Sequence, residues 1–239
     1  MKNLCFLSLF FAVISCSNDE IPLDTSSELA TNSYSKFGDT LPQNSENPYD
    51  DAGRIQHEVL LSYYKGGSLA SSLSGTIQIV DSIANQNSSY TSIKGSAIVV
   101  VPESRMLYLL SERDSTLARV LRNLPISLYA KQSLSGYVSS ITTKVLNNDS
   151  YALIHDYSVD YEFDVVNDIL LTTEEKELLL TTSSIARYSV FMKRKRPKKN
   201  TEPDWDWLTA NLVGGAEGAV ISSAEAISRA AVLGISDNK

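Results

Sequence analysis

Cysteine and histidine are scarce in this chain of 239 residues, which contains two cysteines, Cys5 and Cys16, and two histidines, His57 and His155. Neither histidine has a partner at the helical spacing that metal-binding motifs require. There is also no Gly-x-Ser-x-Gly motif and no phosphate-binding glycine loop. The sequence therefore offers no recognisable hydrolase motif, and we predict no catalytic residue, no metal and no cofactor.

Positive charge is also in deficit, since the net charge of the chain is −7. Nucleic acid is therefore not an expected partner. One strongly basic run, broken only by Pro197, consists of Lys193, Arg194, Lys195, Arg196, Lys198 and Lys199. It permits two interpretations: a patch that contacts a polyanion, or a solvated helix end that complements the negative end of the helix dipole.

The N-terminal apolar run, residues 4–14, follows Lys2 and is too short to cross a bilayer as a lasting helix. The run ends in Val13, Ile14, Ser15 and Cys16. These four residues resemble the lipobox of bacterial lipoproteins. The resemblance implies that the Cys16 thiolate is acylated and that residues 1–15 are removed as a signal peptide. Two or more acyl chains would anchor the protein stably in a membrane.

Cleavage before Cys16 also removes Cys5, so no disulfide can form within the mature chain and a packed core must stabilise it. Residues 16–46 are rich in serine, threonine, asparagine and aspartate, a composition that predicts a disordered tether. Residues 17–20 resemble the acidic export signal of surface lipoproteins of the Bacteroidetes. Thr40 lies in a triplet that resembles the O-glycosylation signal of the same bacteria. These resemblances imply display on the outer membrane and a glycan at Thr40.

Apolar residues recur at helical spacing through most of the remaining chain, which predicts an all-α bundle over residues 47–196. The predicted helices have apolar positions within 55–63, 69–83, 117–124, 128–145 and 178–188. Their predicted boundaries are an N-cap at Asp50, a cap at Ser68, a stop at residues 66–67, Pro125 followed by a cap at Ser127, and a capping box of Thr172 with Glu175.

Two segments fit a strand as well as a helix. Residues 97–101 form a β-branched run that Pro102 interrupts, so they could be one short strand or the end of a helix. Residues 158–165 alternate like a strand, but their apolar residues also fit helical spacing. We predict a helix for the second segment and leave the first open.

The last part of the chain, residues 197–239, is predicted to be a basic linker followed by a helix rich in small residues. Gly214 and Gly218 have the spacing that lets two helices approach closely. One hypothesis is a segment that inserts into membranes, against which stand Glu217, Glu225 and Arg229, because charges are costly in hydrocarbon. The other is a helix that packs on the bundle or on a second copy of the chain.

Few side chains could support catalysis or bind a metal. His57 lies beside Glu58, and His155 lies beside Asp156, and each is expected to be a surface or partly buried residue. A series of carboxylates begins like a calcium-binding loop and consists of Asp160, Glu162, Asp164 and Asp168. Val165 stands where that loop needs glycine and Leu171 where it needs glutamate, so a solvated helix face is the prediction.

Short pieces of the chain resemble a group of lipoproteins or secreted proteins of the Bacteroidetes. The pieces are residues 47–50 with Gly53 and His57, residues 174–176, residues 184–189, and a tryptophan-containing junction before a tail rich in glycine and alanine. The tail of this chain has fewer glycines and more charges than is usual for the group. The resemblance implies helical architecture and export, and no chemistry.

Together these observations predict a lipid-anchored envelope or surface protein that contacts a protein or glycan partner without catalysis. The alternative is a membrane-active antagonism factor that acts through its C-terminal helix. A glycan hydrolase would have to depend on His57 or His155.

Overall fold

Helical spacing of apolar residues is realised throughout the described part of the chain. In the computed structural model this part comprises residues 42–67, 70–111, 113–193 and 205–238. It is all-α, as predicted, and contains ten helices and no strand. In chain order the helices are α1 (Asp50–Lys65), α2 (Leu73–Gln86), α3 (Ser88–Lys94), α4 (Glu103–Ser111), α5 (Arg113–Asn123), α6 (Leu128–Leu146), α7 (Tyr151–Asn167), α8 (Thr173–Lys193), α9 (Trp205–Ala219) and α10 (Ser223–Asp237).

The capping residues that the sequence predicts for α6 and α8 are confirmed. The Ser127 hydroxyl accepts a hydrogen bond from the Ala130 backbone N–H at 3.2 Å. Thr172 and Glu175 bond reciprocally, at 3.0 Å and 3.2 Å. The second carboxylate oxygen of Glu175 accepts from the Ser127 backbone N–H at 2.7 Å, so one side chain ties the starts of α6 and α8 together. The backbone hydrogen bond from Thr172, followed by those from Ser127, lowers the pKa of Glu175.

Two predicted helix starts are placed differently. Asp50 is not the N-cap of α1 but its first residue, and Tyr49 precedes it without a capping side chain. The Asp50 carboxylate instead faces Arg187 of α8. α2 begins after Ser72, whose hydroxyl accepts from Gly75 N–H at 3.1 Å. The predicted cap, Ser68, lies outside the described residues.

The two ambiguous segments are resolved. Residues 158–165 lie inside α7, as predicted. Residues 97–101 are neither a strand nor the end of a helix, and they lie in the connection between α3 and α4. The backbone N–H of Val100 instead donates to the carboxylate of Glu225 on α10, at 2.8 Å. A side chain of another helix therefore satisfies the backbone group that a strand partner would have bonded.

The centre of the bundle is formed by α8, α9 and α10, with α1 packed against α8 and α10. α10 is buried at every position from Ser223 to Ile235. A helix that is buried on all sides needs small residues wherever its neighbours approach closely, and α10 contains alanine at 224, 226, 230 and 231. Hydroxyl residues of α8 are also buried, and they bond back to the helix, as Thr182 does to the Leu178 carbonyl at 2.8 Å.

The C-terminal tail contains two helices, α9 and α10, where the sequence predicted one. α9 and α10 form a hairpin around residues 220–222. An added Cβ on Gly214 would lie 2.6 Å from the Ala230 Cα, and one on Gly218 would lie 2.4 Å from the Ala226 Cα. Both glycines, which the sequence offered for self-association, are thus covered by α10 of the same chain. Among the described helices, none combines the length and the apolar character needed to cross a membrane.

Candidate functional site

A buried ion pair joins α7 to α8. The Arg187 guanidinium bonds both carboxylate oxygens of Glu162, with Nη2 at 3.0 Å from Oε2 and Nε at 3.3 Å from Oε1. Neither side chain has any exposed surface. The Ser183 hydroxyl donates a further bond to Oε1 at 2.9 Å. An ion pair in this position is stable only because nearly all of its polar atoms are satisfied by such bonds.

The segment before α1 closes this pair from the other side. The Asn44 side-chain amide donates to Glu162 Oε2 at 2.7 Å, and the Asn47 amide donates to the Leu180 carbonyl at 3.1 Å. Arg187 Nη2 also bonds the Asp50 carboxylate. We call Asn44, Asn47, Asp50, Glu162, Ser183 and Arg187 the polar core. Its members come from the segment before α1, from the first residue of α1, from α7 and from α8.

Burial raises the pKa of Glu162, while the charge of Arg187 and the hydrogen bond from Asn44 oppose that rise. The polar core has no opening to solvent at the Glu162–Arg187 pair, and one nitrogen of Arg187, Nη1, is buried without a hydrogen-bond partner. A substrate could not reach these groups without unfolding the helices around them. The polar core therefore joins the segment before α1 to α7 and α8.

Two of the sequence pieces that resemble the Bacteroidetes group meet at this polar core. Residues 47–50 and Gly53 pack directly against residues 184–189 of α8. The Gly53 backbone N–H donates to the Ser184 hydroxyl at 3.0 Å, and a Cβ at Gly53 would lie 2.5 Å from the Ser184 carbonyl oxygen. The Tyr188 hydroxyl donates to Asp50 at 3.3 Å. Their shared role is the contact between α1 and α8.

The two histidines lie at either end of a row of aromatic rings. The His57 ring is 5.9 Å from Phe191, Phe191 is 5.4 Å from Tyr151, and Tyr151 is 5.8 Å from His155. His155 is buried, and its Nδ1 lies 3.3 Å from the exposed carboxylate of Asp156. His57 is partly buried, as predicted, whereas His155 is buried, so the prediction was wrong for this residue, because its ring packs against Tyr151 inside the bundle.

The acidic series on α7 divides into different environments. Asp160 and Asp164 are exposed, as predicted for a solvated face. Glu162 is fully buried, so the prediction was wrong for this residue, because Arg187 and Asn44 compensate its charge. Asp168 accepts a hydrogen bond from the Tyr129 hydroxyl at 2.6 Å, which lowers its pKa. In the described part of the chain, no three histidine, cysteine or acidic side chains are grouped as metal ligands would be.

An open cleft of about 320 Å³ lies between α4, α5 and the α9–α10 hairpin. Its walls combine charged, aromatic and apolar side chains. We call this the arginine cleft, and its lining consists of Arg105, Tyr108, Arg119, Val120, Asn123, Leu124, Pro125, Glu217, Val220, Ile221 and Arg229.

Fixed ion pairs hold the charged wall of the arginine cleft. Arg105 bonds both oxygens of Glu217, with Nε to Oε1 at 2.8 Å and Nη2 to Oε2 at 2.9 Å. Arg229 Nη1 lies 3.2 Å from Glu217 Oε1, and Arg229 Nε bonds Glu225 at 2.8 Å. The hydrogen bond to Glu217 is the leading cause that raises the pKa of Arg105. Glu217, Glu225 and Arg229 are the charges that argue against membrane insertion in the sequence. In the structure they form one network of ion pairs with Arg105.

Sequence reasoning did not identify the arginine cleft. Arg105 and Glu217 are 112 residues apart, so no local spacing connects them. One local signal is the i, i+4 pair of Glu225 and Arg229 on α10, of which Arg229 lines the cleft. The other predicted site residues, namely the lipobox with Cys16, Thr40 and residues 194–199, lie outside the described residues, and Lys193 is the last residue of α8. Compared with known proteins, the chain matches no family model, no curated protein and no solved structure.

Proposed function

We propose that this chain is a lipid-anchored protein of the cell envelope that acts by binding a partner and not by catalysis. The proposed location at the cell envelope rests on the sequence, in which a short apolar run ends in a lipobox at Cys16. Two acyl chains or more on that sulfur would retain the protein at a bilayer. The acidic residues that follow Cys16 support display on the outer surface.

The side chains of the arginine cleft carry the binding role. Apart from Asn123, its polar groups are three arginines, one tyrosine and one glutamate, and that glutamate is already bonded to two of the arginines. General acid–base or nucleophilic catalysis needs a side chain that gives up or takes a proton near neutral pH. The buried carboxylate of Glu162 and the buried ring of His155 do not line this cleft. The cleft supports recognition of a ligand.

We do not adopt the membrane-active alternative, because it requires the α9–α10 hairpin to leave the centre of the bundle. Gly214 and Gly218 are in direct contact with the backbone of α10, and Trp207 of α9 donates to the Ser189 carbonyl of α8 at 3.2 Å. Extraction of the hairpin would expose the buried faces of α8 and α1 as well.

The anchor is tested by growing producing cells with a labelled fatty acid and measuring the intact mass of the purified protein. We expect label on the wild type, loss of residues 1–15 and added mass that corresponds to acyl chains. Cys16→Ser should carry no label and should keep its leader. Cys5→Ser is the matched control, since it changes the other cysteine within a segment that is removed, and it should be labelled normally. Label on Cys16→Ser, or loss of label from Cys5→Ser, would refute the proposed anchor.

A further inference from the structure

We propose that two copies of this chain associate through residues 97–101, which pair as antiparallel strands about a two-fold axis at Val99. We call residues 97–101 the apolar connector, because they lie between α3 and α4 and consist of one alanine, one isoleucine and three valines. The inference adds an interaction surface to the proposed function. It depends neither on the lipid anchor nor on the arginine cleft.

The first argument is the conformation of the apolar connector. It contains no helix, turn or bend. Its side chains alternate between two faces, as those of a strand do. Val99 and Val101 are half-buried against the hydrophobic core, whereas Ile98 is 87% exposed and Val100 is 56% exposed. The connector therefore has the shape and the β-branched composition of a strand, although the described part of the chain contains no strand that could pair with it.

The second argument is that the backbone of the apolar connector offers an edge for pairing. The Ala97 N–H donates to the Lys94 carbonyl at 3.1 Å, and the Val100 N–H donates to Glu225 at 2.8 Å. No other hydrogen bond within the described residues involves the connector backbone. Successive N–H groups of an extended chain are directed to opposite edges, so those of Val99 and Val101 are directed away from Glu225. This edge can add a strand.

The third argument is that the apolar connector complements itself. When two copies run antiparallel with Val99 opposite Val99, the exposed Ile98 of each copy lies opposite the exposed Val100 of the other. Cross-strand pairs of β-branched side chains stabilise strand pairing. The Val99 N–H would donate to the Val99 carbonyl of the other copy, and the Val101 N–H to its Ala97 carbonyl. The pairing therefore uses the edge that faces away from α10.

Charge also favours a second copy, in the antiparallel orientation. The apolar connector has no charged residue, but Lys94 precedes it and Glu103 follows it. Lys94 bonds the uncharged side chain of Asn85 at 2.6 Å. Antiparallel pairing brings Lys94 of one copy towards Glu103 of the other, and the two-fold axis repeats this contact. Parallel pairing would bring like charges together, which is unfavourable.

The first test is sedimentation equilibrium of residues 17–239, which keep the compact unit Gly38–Lys239 and contain no cysteine. Five paired residues from each copy cover less than the roughly 800 Å² per partner of a standard interface, so the dimer should be weak. We expect a dissociation constant on the order of 10 to 100 µM. A chain that stays monomeric up to about 1 mM would mean that another molecule or solvent alone covers the connector, and the proposal would be overturned.

Two matched variants assign the association to the apolar connector. Ile98→Lys should weaken dimerisation by roughly tenfold or more, because a charge replaces the apolar side chain opposite Val100. Ile169→Lys is the control, since Ile169 is 94% exposed and lies between α7 and α8, and it should dimerise as the wild type does. Equal effects of the two substitutions, or no effect of Ile98→Lys, would overturn the proposal. Thermal unfolding checks that both variants are folded.

Disulfide formation tests the register. Opposite residues of antiparallel strands have Cα atoms about 4.5 to 5.5 Å apart, which fits a disulfide. An equimolar mixture of Ile98→Cys and Val100→Cys chains should therefore form the mixed dimer several-fold faster than either variant forms its own dimer. Ile169→Cys mixed with Val100→Cys measures random collision. Equal rates in the first mixture and in either variant alone, or a rate no higher than in the control mixture, would overturn the antiparallel pairing at Val99.

Discussion

Glu162 is held by three kinds of donor: the guanidinium of Arg187, the side-chain amide of Asn44 and the hydroxyl of Ser183. These donors belong to α8 and to the segment that precedes α1. One carboxylate of α7 therefore fixes two other parts of the chain. A hydrophobic replacement of the whole pair could pack as well, but removal of one partner leaves a buried charge without its counterion.

We predict that Glu162→Ala lowers the free energy of unfolding by about 3 to 5 kcal/mol, since Arg187 would keep only the Asp50 carboxylate as a charged partner. Urea denaturation followed by circular dichroism measures this change. Asp160→Ala is the control on the same helix, because Asp160 is exposed, and its effect should stay within about 0.5 kcal/mol. Equal effects of the two substitutions would show that the ion pair contributes nothing specific.

Residue positions were predicted well where the signal is local and poorly where it is distant. The capping box of Thr172 and Glu175 involves neighbours three residues apart, and both of its hydrogen bonds are present. Glu162 has its charged partner 25 residues away on another helix. When its partner is not known, a carboxylate on a helix is expected to face solvent. The sequence therefore predicts one solvated face for the whole acidic series.

At the scale of helices, the close contact of α9 and α10 depends on glycine. An added Cβ at Gly218 would lie 2.4 Å from the Cα and the N of Ala226, and these are backbone atoms that cannot rotate away. The sequence revealed the spacing of Gly214 and Gly218 but not which helix they face. It also gave no strong break at residues 220–222, since two of the three residues there are apolar.

We predict that Gly218→Ala lowers the free energy of unfolding by about 1 to 3 kcal/mol, because the two helices must move apart. Gly136→Ala should have the opposite sign. Gly136 lies within α6, and a Cβ there would meet no atom within 4 Å, so alanine should stabilise the helix by roughly 0.5 to 1 kcal/mol. Thermal unfolding of both variants measures the difference. Stabilisation by Gly218→Ala would mean that α9 and α10 do not approach as closely as described.

At the scale of the whole molecule, the fold class was predicted from helical spacing alone. The sequence separated a helical domain, residues 47–196, from a C-terminal segment because of the basic run between them. In the structure α8, α9 and α10 share one core, within the compact unit Gly38–Lys239. The tail is rich in small residues and has few large apolar side chains, which are the usual sequence signal of a buried helix. For this reason the sequence did not predict that α10 is surrounded by other helices.

This arrangement leads to a prediction about a shortened chain, residues 42–196. Without α9 and α10 it would expose Gln56 of α1, whose amide bonds Asn211 at 2.6 Å, and Tyr90 of α3, whose hydroxyl lies 2.8 Å from that of Ser228. It would also lose the packing of Ile185 against Gly215. We therefore expect no cooperative thermal transition by circular dichroism for residues 42–196, whereas residues 42–239, which lack the same N-terminal segment, should unfold in one step. A cooperative transition of the shorter chain, at a temperature close to that of the longer one, would mean that α9 and α10 are an appendage, and the membrane-active hypothesis would then regain its physical basis.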